Sequence, residues 1–155
     1  MQIDLSDKNL TSKEKNEIKV LLKRKCNKVS NDLEQIWYLM DLIWDDYNCD
    51  NKNLEWDKIS KFYFHPVWIL NGLFIEQHDL SMSQRNAISS WIAENSFKNI
   101  VDYGGGFGTL ARIIAEKDIN IDMQIYEPHP SKYALKRVAE FSNISIINKL
   151  NTNYD

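Results

Sequence analysis

At 155 residues the chain has the length of about one domain, and its 43% hydrophobic content is enough for a real core. Its net charge of −3 gives no global field to draw it onto nucleic acid or an anionic membrane, and no apolar run approaches the roughly 18 residues of a spanning helix. Cys26 and Cys49 form no metal or redox spacing and the N-terminus lacks a basic start followed by an apolar run, which together imply a cytoplasmic protein without a signal peptide.

Residues 1 to about 10 read as a loose polar leader. Thr11 and Glu14 then match a capping box, and Ile18, Leu21, Leu22, Cys26 and Val29 recur at helical spacing. The lysines between them read as a solvated helix face with cations placed near its C-terminus rather than as a nucleic-acid patch. Asn31 and Glu34 offer a second capping box, and Leu33, Ile36, Trp37, Met40, Ile43, Trp44 and Tyr47 predict one broad buried stripe. Asp45 to Asn53 reads as a solvated loop, since its carboxylates lack the glycine and terminal Glu of a calcium loop.

Ile59 to His78 is the most aromatic stretch of the chain. Pro66 should break or start a helix there, and Asn71-Gly72 is a turn signal or a close-packing point. His65 and His78 fit no metal-ligand spacing and are expected in hydrogen-bonded structural roles. Ser81 or Ser83 can cap the next helix, which runs to about Asn95 with Ala87, Ile88, Trp91 and Ile92 predicted inward.

Four of the five glycines follow. Asn99-Ile100-Val101 favours a strand, Gly104, Gly105, Gly106 and Gly108 form a turn, and Thr109 to Ala115 continues as a helix bearing Leu110, Ile113 and Ile114. Strand, glycine turn and helix make the first half of a nucleotide-binding βαβ unit, in which glycine lets the backbone approach a ligand and the helix start supplies free N–H groups. Asn120 to Glu127 reads as a second strand ending in a carboxylate, and a carboxylate there is placed to accept ribose hydroxyls. Pro128-His129-Pro130 is a rigid turn, with His129 read as a solvent-facing residue. Ser131 caps a helix through Phe141, whose buried face is predicted as Tyr133, Leu135, Val138, Ala139 and Phe141, and Asn143 to Asn148 reads as a third strand.

Reading from Gly104, the third glycine of a dinucleotide G-x-G-x-x-G fingerprint would fall at position 109, which is Thr109. What stands instead is Asp102-Tyr103-Gly104-Gly105-Gly106-Phe107-Gly108, or D-x-G-x-G-x-G, which resembles motif I of the class I S-adenosylmethionine-dependent methyltransferases. The resemblance spans roughly residues 84 to 155 and implies an α/β fold: a helical, cap-like N-terminal region over 1–82, then a partial Rossmann-like parallel sheet of about three strands with flanking helices over 83–155. It also implies S-adenosyl-L-methionine as cofactor, its methyl group transferred to an unidentified small-molecule acceptor. Asp102 would hold the methionine end, Tyr103, Gly104, Gly105, Gly106, Phe107 and Gly108 would line the cofactor loop, and Glu127 with Pro128 would meet the ribose. Tyr103 and Phe107 are bulkier than the residues usual in this loop. N-terminal helices often cover the acceptor pocket in that family, which makes Ile59 to His78 the first candidate for acceptor contact.

In that family the sheet order is 3-2-1-4-5-7-6, and acceptor-side residues stand at the end of the fourth strand. Here the sequence stops after Tyr154-Asp155, which resembles the entrance to that strand, so the expectation is a cofactor half without its acceptor half. Such a sheet would have an apolar edge and invite self-association, a missing C-terminal segment, or cover from the N-terminal helices. An NAD-type nucleotide protein and a non-enzymatic interaction module are the competing readings.

Overall fold

Thirteen buried apolar side chains spaced along residues 10–74 build the first of two units in the computed structural model, which describes residues 2–150 and 154–155. The units are residues 1–77 and 78–155. Together they form an α/β protein with seven helices and a three-stranded parallel sheet among the described residues. None of these helices is long and apolar enough to cross a membrane.

The first unit holds α1 (Ser12–Leu21), α2 (Asp32–Asp46), α3 (Trp56–Tyr63) and α4 (Pro66–Gln77). The Thr11 hydroxyl accepts from the Glu14 N–H while the Glu14 carboxylate accepts from the Thr11 N–H, closing the predicted capping box. Asn31 caps α2 by accepting from the Glu34 N–H, but the Glu34 carboxylate turns to Ser30 instead of completing the box. Val67, Ile69, Leu70, Leu73 and Phe74 are all buried on α4, which packs against both α1 and α2, so apolar residues around most of its girth make it the centre of this unit.

Four expectations change here. The leader is tied down: the Asp4 N–H donates to Gln77 Oε1 at 2.7 Å, Gln77 Nε2 donates to the Asp4 carbonyl, and Leu10 is buried. Trp37 lies exposed, and the inward stripe of α2 is Ile36, Leu39 and Ile43. α3 occupies a stretch left unassigned by periodicity, ending where Pro66 forbids it to continue. Finally, α4 runs straight through Asn71-Gly72. A glycine costs about 1 kcal/mol in a helix interior, whereas each buried Leu or Phe contributes about 1.5–3 kcal/mol, so burial wins.

The second unit holds α5 (Asp79–Glu94), β1 (Asn99–Tyr103), α6 (Thr109–Lys117), β2 (Asp122–Tyr126), α7 (Lys132–Val138) and β3 (Ile144–Ile147). The sheet order is β1-β2-β3, all parallel, with Ile100 opposite Met123, Asp102 opposite Ile125, and Tyr103 opposite Tyr126. Strand alternation sends Met123, Ile125, Ile144 and Ile100 to the face covered by α5, α6 and α7, through Ile92, Ile114 and Val138. Val101, Tyr103, Gln124, Tyr126 and Ile147 stand on the other face.

The helix faces are rotated from their predicted positions. On α5, Ser89 and Ile92 are buried while Ala87, Ile88 and Trp91 are exposed, and the helix begins at Asp79, ahead of Ser81. On α7, Tyr133, Ala134 and Val138 are buried and Leu135 is exposed, and the helix ends at Val138, short of Phe141. In each case the apolar residues exceed one stripe, and contact with the sheet selects which stripe is covered.

β1 is an edge of the described sheet. The Asp122 N–H donates to the Lys98 carbonyl and the Gly104 N–H to the Tyr126 carbonyl, so even-numbered β1 residues face β2 and odd-numbered ones face outward. Asp155 meets that outer side at Asn99: its N–H donates to the Asn99 carbonyl at 2.9 Å, and its carboxylate accepts from the Asn99 and Lys98 N–H groups. Those bonds hold the Asp155 carboxyl below its ordinary range. The Tyr154 hydroxyl donates to Gln124 Oε1. Tyr154-Asp155 thus stands where a strand next to β1 would begin, whereas 151–153 of the same predicted tail lie outside the described residues.

Candidate functional site

The glycine turn joins the carboxyl end of β1 to the start of α6, and its four glycines do different things. Gly104, Gly106 and Gly108 have φ of +71°, +54° and +65°, in the left-handed region that suits glycine. A methyl group at Gly108 would stand 2.5 Å from Ile125 Cδ1, so this glycine lets α6 press onto β2. One at Gly105 would stand 2.6 Å from Asp102 Oδ2. At Gly104 and Gly106 nothing beyond the adjoining residues of the chain lies within 4 Å. These two therefore serve no internal packing; they present bare backbone to open space beside the N-terminus of α6, whose first-turn N–H groups have no intrahelical acceptor and no side-chain cap on Gly108.

Asp102 is the penultimate residue of β1, on the helix-covered face. Burial pushes its carboxyl above the ordinary range, opposed by the positive charge of Arg85 on α5. Among the described residues the carboxylate accepts no hydrogen bond. Glu127 follows β2, one position beyond the Tyr103–Tyr126 pair, which brings it beside the glycine turn at the same end of the sheet. It is half-buried, and its Oε1 accepts from the His129 N–H at 3.1 Å. Pro128 is exposed and His129 half-buried in the turn that leads to the Ser131 cap of α7, where the Ser131 hydroxyl accepts from the Ala134 N–H. Asp102, the turn and Glu127 thus gather at the carboxyl ends of neighbouring parallel strands, the usual ligand crevice of open α/β sheets.

The two bulky loop residues part ways. Phe107 is buried, its ring edge-on to Tyr133 with centroids 4.9 Å apart, so it supports the loop from beneath and offers only backbone to a ligand. Tyr103 is 72% exposed and stacks on Tyr126 at 4.9 Å on the other sheet face.

Elsewhere, His65 Nδ1 accepts from the Val67 N–H at the start of α4, and burial lowers its pKa; His78 Nδ1 lies 2.8 Å from the Ser81 hydroxyl at the start of α5. Both are hydrogen-bonded near helix starts. Among the described residues no three His, Cys, Asp or Glu side chains gather as a metal site requires, and Cys26 and Cys49 are free thiols. Arg85 escaped the sequence reading, although its spacing with Ser89 and Ile92 placed all three on one helix stripe.

No model of a known family, no curated protein and no solved structure matches the chain.

Proposed function

We propose that the second unit binds S-adenosyl-L-methionine as the cofactor-binding part of a methyltransferase acting on a small-molecule acceptor. The observation that carries this reading is the pair Gly104 and Gly106, bare left-handed backbone with open space before it, between Asp102 and Glu127 at adjacent strand ends. A cofactor with a cationic amino-acid end, a sulfonium centre and a ribose suits such a cleft. Its chemistry, when bound, is an electrophilic methyl group.

The residues present fit that group. Asp102 has an unused, half-buried acceptor for an ammonium group. Gly104 and Gly106 let the ligand lie against main chain that any larger residue would strain. Glu127 is aimed by its bond to the His129 N–H and keeps its second oxygen for ribose hydroxyls. Pro128 stiffens the segment that carries this carboxylate. The contribution of these groups to rate is positioning: holding the cofactor in one pose removes orientational freedom ahead of the transfer. The D-x-G-x-G-x-G spacing, with Thr109 where a dinucleotide loop has its third glycine, favours this cofactor over NAD.

Calorimetry with S-adenosylhomocysteine and NAD tests the reading. The expected result is binding of the homocysteine derivative and weaker or no binding of NAD. Tighter binding of NAD would overturn it.

A further inference from the structure

We propose that His65 is an acid-sensitive latch on the first unit: the neutral ring caps α4, and protonation releases that cap and loosens the core that α4 organises. His65 occupies the N-cap position of the helix. Its carbonyl accepts from the Trp68 N–H at 3.0 Å, and its ring Nδ1 accepts from the Val67 N–H at 3.1 Å. Pro66 between them has no N–H to satisfy, so the ring serves the first amide of α4 that needs an acceptor. Serine, threonine, asparagine or aspartate ordinarily fills this role, and none of them takes up a proton between pH 5 and 8 as an imidazole does.

An N–H can donate to Nδ1 only while that nitrogen carries no proton, so the neutral ring holds its proton on Nε2. A second proton, on Nδ1, would set two donors against each other and put a cation at the positive end of the helix dipole. The amide it would orphan belongs to Val67, whose exposure is 0%, and a buried N–H without an acceptor is costly. Groups from other elements face the ring. Tyr47, at the end of α2, meets it edge-on with centroids 6.0 Å apart. Glu17 of α1 and Asp46 of α2 favour the charged ring, and Arg24, 3.5 Å from the Asp46 carboxylate, opposes it. Burial is the largest influence and leaves the His65 pKa below its ordinary 6.5. The folded chain then binds fewer protons than the unfolded one as pH falls through the ordinary histidine range. The stability that the latch contributes is therefore complete above that range and is lost as pH falls toward the folded value.

The test follows the urea midpoint and the hydrogen exchange of α4 amides, corrected for the intrinsic rate, in the full chain from pH 7.5 to 5. The wild type is compared with His65→Asn, which keeps an acceptor at the cap at every pH and retains both other histidines, His78 and His129. In the wild type the midpoint should fall, and the amides from Val67 to Leu70 should lose protection about fivefold, the scale of one lost helix cap, while those of β2 keep theirs. His65→Asn should hold its midpoint and its α4 protection across the interval. A wild type that keeps both, or a His65→Asn that loses as much as the wild type, overturns the latch. The wild-type arm also stands without the variant. The ring C–H resonances of His65 should titrate at the pH where α4 loses protection, and titration at a different pH overturns the latch as well.

Discussion

The glycines after β1 fall into two pairs according to what a methyl group would meet, and this separates folding from binding at single residues. Gly108→Ala drives a methyl into Ile125 at a positive φ, so it is expected to lower stability by about 1–3 kcal/mol, read from the urea midpoint. Gly104→Ala meets no atom; it should cost only the left-handed backbone term, about 1–2 kcal/mol, while projecting a methyl into the ligand space and weakening S-adenosylhomocysteine. Equal binding by Gly104→Ala and wild type would move the ligand away from the turn. Glu127→Ala removes charge-assisted hydrogen bonds worth roughly 1.5–3 kcal/mol each, so binding should fall about tenfold or more with the fold intact. Unchanged affinity would place the ribose elsewhere. Asp102 links the site to pH. Its carboxyl is raised by burial, so over the window between the ordinary carboxylate range and the folded value the native state holds a proton that the unfolded chain has released. Its effect is therefore a destabilisation that grows as pH rises through that window and is missing in acid. Asp102→Asn is expected to show a higher urea midpoint than wild type near neutral pH, with the difference vanishing at low pH, and to bind S-adenosylhomocysteine less well. Midpoints that coincide at neutral pH would contradict the burial argument.

Among the elements, α5 shows how a helix with apolar residues on several sides is oriented by its neighbours. Ile92 is buried in the core with Ile114 and Met123, whereas Ile88, one turn earlier, is exposed. Ile92→Ala should cost about 2–5 kcal/mol and Ile88→Ala no more than about 0.5 kcal/mol in chemical denaturation; the reverse order would mean that the predicted inward face was right. α1 depends on its start. Thr11 satisfies one orphan N–H and its partner Glu14 another, so Thr11→Ala should destabilise the protein by about 1 kcal/mol.

For the whole molecule, the feature with the widest consequence is the outer edge of β1. Asp155 engages it at Lys98 and Asn99, and beyond that point the outward backbone of Val101 and Tyr103 has no partner among the described residues. The neighbouring sheet face carries Val101, Tyr103, Tyr126 and Ile147. A strand edge of this kind is a template for another chain. The protein is expected to self-associate as concentration rises, measured by light scattering, and Val101→Lys should suppress it. A compact monomer at high concentration would contradict the expectation.

Local chemistry was enough to determine much of this from the sequence: the caps at Thr11, Asn31 and Ser131, the helix start at Pro66, the three strands and the glycine turn, and Glu127 one step past the second strand. Each depends on residues within a few positions of one another, where spacing and backbone geometry set the outcome. Which helix face is covered was decided by tertiary packing alone. Trp37, Ile88, Trp91 and Leu135 lie exposed while Leu39, Ser89 and Ala134 are buried. Periodicity marks the apolar stripes, but the partner surface chooses among them. The same holds for Asn71-Gly72, where burial along α4 outweighs a local turn preference, and for Arg85, which acts on Asp102 only because α5 folds back along the sheet. Charges far apart in sequence come to act on one another when packing sets their distance, and that distance is a property of the assembled core rather than of any segment.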